Sequence, residues 1–203
     1  MARLSSADRR VALVQAALRV IDRDGVHAAT TRAIVAEADM PLASFHYAFR
    51  SRDELIRQVI ASVVEGEKAA AVDSLVPGAD LQSTVRAGLQ AYFDLVVASP
   101  SHEQAMFELF HYSLRTGDLA DLPQAQYESY HATVREVLEV GARLTGMRWA
   151  TPVDDVARLV VVFTDGITLA WLADRDADAA GRTMDLAASA ITALAVPDRK
   201  ENP

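Results

Sequence analysis

The 203-residue chain is 51% hydrophobic and 24% charged, a globular composition with enough material for a sizeable core in one compact domain or two small ones. It contains no cysteine, which excludes disulfides and thiolate zinc sites and fits a reducing cytoplasm. The formal net charge is −8, yet residues 1–55 carry a net +1 and the remainder −9, so the balance does not exclude a DNA-reading face, which needs only a local basic surface.

The opening MARLSSADRR has no apolar segment of the signal-peptide kind. Apolar runs such as 159–163 fall far short of the roughly 18–20 residues of a membrane span. A cytoplasmic protein with no membrane partner is expected. Strand signals are nearly absent and apolar residues recur at spacings of three and four, which predicts an all-α chain. Val11, Val14, Ala17, Leu18 and Ile21 make the stripe of a first helix, stopped at Asp24-Gly25. Thr30-Thr31 opens a second helix burying Ile34, Val35 and Ala38. A break at Asp39-Met40-Pro41 leads into a short third helix with Phe45 and Phe49 inward. Ser51 and Glu54 form a capping box for a fourth helix through Leu55, Val59 and Val63.

Pro77-Gly78 marks a stop. A fifth helix carries Leu81, Val85, Leu89, Phe93 and Val96 and ends before Pro100. Ser101 and Gln104 suggest a second capping box, opening a sixth helix with Met106, Phe107, Phe110 and Leu114 that closes near Gly117. Pro123 suits the first turn of a seventh helix running to about Gly146. Thr151-Pro152 starts an eighth, through Val156, Leu159, Val160, Phe163 and Ile167, and a ninth runs from about Asp178 to Val196, followed by a frayed end.

The second and third helices, with a tight turn between them, have the layout of a helix-turn-helix, in which the second member lies in the DNA major groove. With Phe45 and Phe49 inward, Leu42, Ala43, Ser44, His46 and Tyr47 are left outward. Small residues at 43 and 44 permit close approach. Ser44 can bond a base or a phosphate, and Leu42 and Ala43 can touch a thymine methyl. His46 and Tyr47 can donate to phosphate oxygens. Thr30, Thr31 and Arg32 at one helix start, and Arg52 at another, are candidate phosphate seats. A plain helical subdomain with a polar face satisfies the same spacing.

The stretch TTRAIVAEADMPLASFHYAFRSRDEL resembles the N-terminal signature of the TetR family of bacterial repressors. That signature has a Thr opening the second helix, an Ile-Ala-x-x-Ala core, a Gly-Val-Ser turn, an aromatic recognition helix ending in Phe, then Ser-Lys-x-x-Leu. Thr31, Ile34, Ala38, Tyr47, Phe49, Ser51 and Leu55 match it. The departures are Val35 for Ala, Asp39 for the turn Gly, Pro41 for Ser, His46 for Tyr and Arg52 for Lys. Arg52 keeps the phosphate role that the resemblance implies, Pro41 suits a first helical turn, and Asp39 must take a left-handed conformation that Asp tolerates better than most residues.

The resemblance implies a helix-turn-helix DNA-binding domain over 1–52 and a helical ligand-binding and dimerisation domain over 53–203. It implies a homodimer on a palindromic double-stranded DNA operator, released by a small-molecule effector. The pocket would lie among helices five to eight, where Phe93, Phe107, Phe110, His111, Tyr127, Tyr130, His131, Phe163, Asp165 and Trp171 mix aromatic and polar groups. Asp94 and Asp165 interrupt apolar runs, and a buried acid there could hold a cationic ligand or pair internally. The last two helices would pair with a second copy, and their small residues Gly166, Ala170, Ala173, Ala187 and Ala190 are candidates for that seam. The alternative is a metal-binding bundle, since Glu108-x-x-His111 and Glu128-x-x-His131 repeat the Glu-x-x-His motif of di-iron proteins. No phosphate loop, dinucleotide fingerprint or nucleophile elbow occurs, so neither enzyme activity nor a cofactor is expected.

Overall fold

The computed structural model describes residues 5–73 and 79–198, the side chains of 64–73 excepted. The expected stop at Pro77-Gly78 and the frayed residues 199–203 lie outside the described residues. Among those described, nine α-helices carry the fold: α1 (Ser6–Asp24), α2 (Thr31–Glu37), α3 (Leu42–Ala48), α4 (Arg52–Asp73), α5 (Leu81–Ala98), α6 (Pro100–Leu114), α7 (Leu122–Thr145), α8 (Val153–Asp174) and α9 (Ala177–Thr192). Single 3-10 turns follow α1 (Val26–Ala28) and α6 (Gly117–Leu119), and two short strands, β1 (Met147–Trp149) and β2 (Ala195–Pro197), complete the elements. Packing divides the chain into two compact units, one of Met1–Glu65 with Ser99–Gln126, the other of Gly66–Ala98 with Tyr127–Pro203. The front helices therefore pack with the start of α4 and with α6, which the expected boundary at residue 52 had separated.

In the first unit, Ser5 caps α1, its hydroxyl accepting from the Asp8 amide at 3.1 Å. The buried arc of α1 centres on Leu13, Ala17 and Val20. Val11, expected in the stripe, lies beyond the edge of that arc and is 61% exposed. Gly25 stops the helix at φ +83°, where a side chain would also meet Glu108 Oε2 at 3.0 Å. That carboxylate accepts from the Val26 amide, tying α6 to the turn after α1. Thr30 caps α2 through the Ala33 amide. At the far end Met40 donates to Val35 O and Asp39 to Ala36 O, the paired bonds of a Schellman stop, with Asp39 in the left-handed region at φ +52°.

That turn aims α3. Asp39→Gly should relieve the left-handed strain and raise Tm by a few degrees in a thermal melt, since glycine is the usual occupant of this position. An unchanged or lower Tm would show that the Asp39 side chain stabilises the turn in some other way.

Phe45 and Phe49 are both buried, as the spacing predicts. Arg10 fixes the end of α3. It donates to Ala48 O and to Glu54 at 3.2 Å, and its guanidinium lies 4.2 Å from the Phe49 ring centre. The capping box at Ser51 is displaced by one residue: Ser51 Oγ accepts from the Glu54 amide, but the Glu54 carboxylate takes the Arg50 amide. The Arg50 amide and the Arg10 guanidinium together hold the Glu54 carboxyl below its usual range.

The helix α6 begins at Pro100 with Ser99 as its cap position, two residues earlier than the Ser101 box implied, because a proline at the first helical position needs no amide partner. Leu114, expected inward, is the last residue of α6 and is 55% exposed.

In the second unit, α5, α8 and α9 pack around Leu89, Phe93, Val96, Val156, Val160, Ile167, Trp171, Met184 and Ile191. The helix α8 is apolar and long enough to cross a bilayer by length and composition alone; here it is the bundle helix against which α5 and α9 lie. The helix α9, expected to reach Val196, ends at Thr192. The chain then extends to pair β2 antiparallel with β1, Arg148 opposite Val196. Three-residue strands are too short to leave a period in the sequence.

Candidate functional site

The helix α3 presents an outer face. Tyr47 is 80% and Leu42 42% exposed, Ala43 and His46 are exposed, and Ser44 is half-buried. These are the five residues the sequence placed outward. Beside them, Thr30 and Arg32 at the start of α2 are exposed and Thr31 is half-buried. The Thr30 hydroxyl accepts from Ala33, which leaves its hydrogen available to an incoming phosphate oxygen. Arg50, which sequence reasoning passed over, is exposed just past α3, and its position at the end of an outward helix was the available signal.

Arg52 is different. The sequence made it a phosphate seat, but its guanidinium turns inward. It donates to Ala29 O at 2.8 Å, to Val26 O at 2.5 Å and to the Tyr112 hydroxyl at 2.8 Å, with the Tyr112 ring centre 5.1 Å away. Val26 O, which also accepts the Ala29 amide, and Ala29 O at the end of the 3-10 turn both take it. Arg52 is a strut between the turn, α4 and α6.

The ten expected pocket residues are divided between the two units. Phe107, Phe110 and His111 lie on α6 in the first unit, with His111 exposed. Phe93 is buried in the second core, edge-on to Trp171. Phe163 and Trp171 line a groove of about 280 Å³ on the α8–α9 side, together with Gly166, Ala170 and Thr183. Asp165 is two residues from Phe163, so the two side chains leave α8 about 200° apart and serve different surfaces.

Asp165 has its own neighbours. Tyr127 on α7 donates to its Oδ2 at 2.5 Å. Tyr127 packs edge-on against Tyr130 and His131, with ring centres 5.9 and 6.0 Å away. One turn along α8, Thr168 shares a hydrogen bond with Tyr92 of α5 at 3.1 Å. Burial pushes the Asp165 carboxyl up, against the opposing effects of the Tyr127 bond and His131. Burial and the Asp165 partner push the Tyr127 phenol up. His131 is lowered by burial and then by Arg158, with Asp165 opposing. Asp94, the other acid flagged by the sequence, is exposed and accepts from Gln90 at 2.7 Å.

The outer faces of α8 and α9 are apolar and uncovered. Val162 is 64%, Leu169 52% and Leu186 72% exposed, beside exposed Gly166, Ala170, Ala173 and Ala190. Ala187, expected in the seam, is instead 2% exposed and belongs to the second core, because it lies on the inner face of α9 with Met184 and Ile191.

The metal-binding reading has no support here. Glu108 is engaged with Val26, the two Glu-x-x-His motifs fall in different units, and no cluster of three or more ligating side chains forms among the described residues.

Residues 13–59 match the family described as bacterial regulatory proteins, tetR family. Residues 81–196 match that described as BetI-type transcriptional repressor, C-terminal. The chain belongs to the TetR family. It is 30% identical over 173 residues to the HTH-type nicotine-responsive transcriptional repressor HdnoR of Paenarthrobacter nicotinovorans, covering 85% of this chain and 88% of that one. Among solved structures, the multidrug binding protein EbrR complexed with imidazole superposes with a TM-score of 0.67 at 24% identity, over 96% of this chain and 98% of that chain. A transcriptional regulator from Rhodococcus sp. Rha1 gives a TM-score of 0.74 at 17% identity, over 94% and 98%. The TetR-family regulator is thus not an enzyme. It is a ligand-responsive transcriptional regulator that binds operator DNA and a small-molecule effector and acts as a homodimer. Members of the family are soluble cytoplasmic proteins.

Proposed function

We propose that this TetR-family protein is a cytoplasmic repressor whose outer α3 face reads the operator and whose effector binds within the second unit. Residues 1–52 supply the reading head: Leu42, Ala43, Ser44, His46 and Tyr47 approach the groove, and Thr30, Thr31, Arg32 and Arg50 approach the phosphates. Residues 53–203 supply effector binding and dimerisation, with the uncovered α8–α9 face as the seam. Two such heads related by a two-fold axis demand a palindrome with half-sites about one turn, or a multiple of it, apart. HdnoR is nicotine-responsive, and EbrR has been crystallised with imidazole and with ethidium. Those names support an organic effector carrying a ring and a nitrogen.

The observation that carries the reading is an α3 whose inner residues Phe45 and Phe49 are buried and pinned by Arg10, while Tyr47 stands 80% exposed. Burying one side rigidly and exposing an aromatic on the other gains nothing for stability; it suits a helix that docks. The test is selection of sites from random duplex DNA by the purified protein. A recovered palindrome whose affinity falls as salt rises is expected, and Tyr47→Ala should weaken it about tenfold with the dimer intact. Wild-type affinity in that variant would move the reading face elsewhere.

A further inference from the structure

We propose that His46 grips the operator backbone in its charged form, so that each head takes up a proton as it docks and operator affinity falls with rising pH. This deepens the reading of α3 above and rests on it.

The helix α3 is seven residues long. Leu42 and Ala43 lie four and three residues before His46, and Tyr47 follows it, so His46 stands inside the arc that these residues define. All four are exposed. The His46 ring meets the ring of buried Phe45 edge-on, with centres 5.7 Å apart. Neither of its nitrogens has a hydrogen-bond partner among the described residues. The core thus braces the ring from below and leaves its polar atoms to a ligand. A tyrosine, which the family signature has at this position, offers one neutral O–H donor. A histidine donates from both nitrogens once protonated, and then with a positive charge. A charged donor makes the shorter and stronger bond to a phosphate oxygen.

Nothing in the free head supplies the counter-charge. The helices packed against α3 are α1 and α2. Their charged groups have other partners: Asp8 takes the Ser5 hydroxyl, Arg10 holds Ala48 O and Glu54, and Arg19 and Arg23 share Glu37. Asp24 pairs with Arg23 and Asp22 with His102, and Arg9 is engaged as well. On α4, which follows α3, Arg52 is held by Ala29 O and Val26 O, Arg57 is held by Asp121, and Asp53 acts on Arg57. On α3 itself the other titratable group is Tyr47. Among the described residues this leaves Arg32, Asp39 and Arg50 with no hydrogen bond to the side chain, two cations against one acid. The operator is therefore the first anion that His46 meets. An imidazole in water titrates near pH 6.5, and a phosphate beside it favours the protonated form. The proton is then held more tightly in the complex than in the free protein. By linkage, affinity is fully present where the ring is charged in both states and is lost as the pH rises through the titration.

The experiment measures affinity of the full-length dimer for the selected operator by fluorescence anisotropy, at constant ionic strength, between pH 6 and pH 8. Protons taken up on docking are counted by titration calorimetry in buffers of different ionisation heat. A fall in affinity of about tenfold or more across that range is expected, with net proton uptake. His46→Tyr, which supplies a neutral donor, should flatten the profile, and so should His46→Asn. His27→Gln, which removes the other histidine of the head, should keep the wild-type profile. A flat wild-type profile, docking without proton uptake, or a dependence that His46→Tyr retains overturns the assignment. If circular dichroism shows the His46 variants unfolded, the proton counts of wild type and His27→Gln decide: uptake in both supports it, and uptake lost in His27→Gln overturns it. If operator is bound with an affinity independent of pH, only this assignment fails. If no operator can be selected at all, the reading of α3 fails with it.

Discussion

Replacing Val162 and Leu186 together by glutamate should give a folded monomer that no longer holds its operator. Both side chains are well exposed, at 64% and 72%, so neither substitution opens a cavity in the core. They lie on an apolar face with Leu169, Gly166, Ala170 and Ala190, the kind of surface a soluble protein leaves open only for a partner. In a two-fold dimer each change appears twice, so four carboxylates would be buried at one seam without counter-charges. The loss for DNA is larger than the loss of contacts. When two heads are linked, the second binds at an effective concentration near millimolar, and breaking the link costs roughly 10²–10⁴ in affinity. Sedimentation should show a single species of half the wild-type mass, and anisotropy should show no operator complex at wild-type saturating concentration. A variant that sediments as the dimer would place the seam elsewhere.

Arg52→Ala carries the other large effect, and its signature separates two readings of the residue. The guanidinium bonds Ala29 O, Val26 O and the Tyr112 hydroxyl. Its removal takes three charge-assisted bonds from a part-buried site and leaves Val26 O with the Ala29 amide alone, for a loss of about 2–4 kcal/mol. For a chain of this size that corresponds to a Tm lower by about 5–15 °C. Operator affinity should fall too, because the turn before α2 loses its tie to α4 and α6. The salt dependence decides why. A lost phosphate contact would reduce the slope of log K against log salt by about one. An internal strut predicts weaker binding with the slope unchanged. An unaltered Tm with a reduced slope would restore the phosphate role first read from the sequence.

That residue marks a limit of sequence reading. Arg52 follows a capping serine at a helix start, the usual setting for a phosphate contact, and nothing local says otherwise. Its partners lie 23, 26 and 60 positions away, and only the fold brings their oxygens together. The pocket list shows a related limit. Aromatic residues crowded along helices do not say which way each one leaves its helix. On α8, Asp165 and Phe163 diverge, and Phe93 with Trp171 is core packing. Ala187 was read as a seam residue because it is small, yet it faces inward with Met184 and Ile191.

By itself the sequence determined the helical class, the stop at Gly25, the capping of α2 by Thr30, the left-handed Asp39 and the outward residues of α3. All of these follow from interactions within a few residues, where helical period, capping chemistry and backbone sterics act. Only the tertiary structure decided that Arg52 points inward, that Asp165 stands with Tyr127 and His131, that β1 pairs with β2, and which apolar faces stay uncovered. Periodicity reports that a face is apolar, but the same stripe can meet the chain's own core or a second copy. Which of the two it meets depends on how distant segments pack.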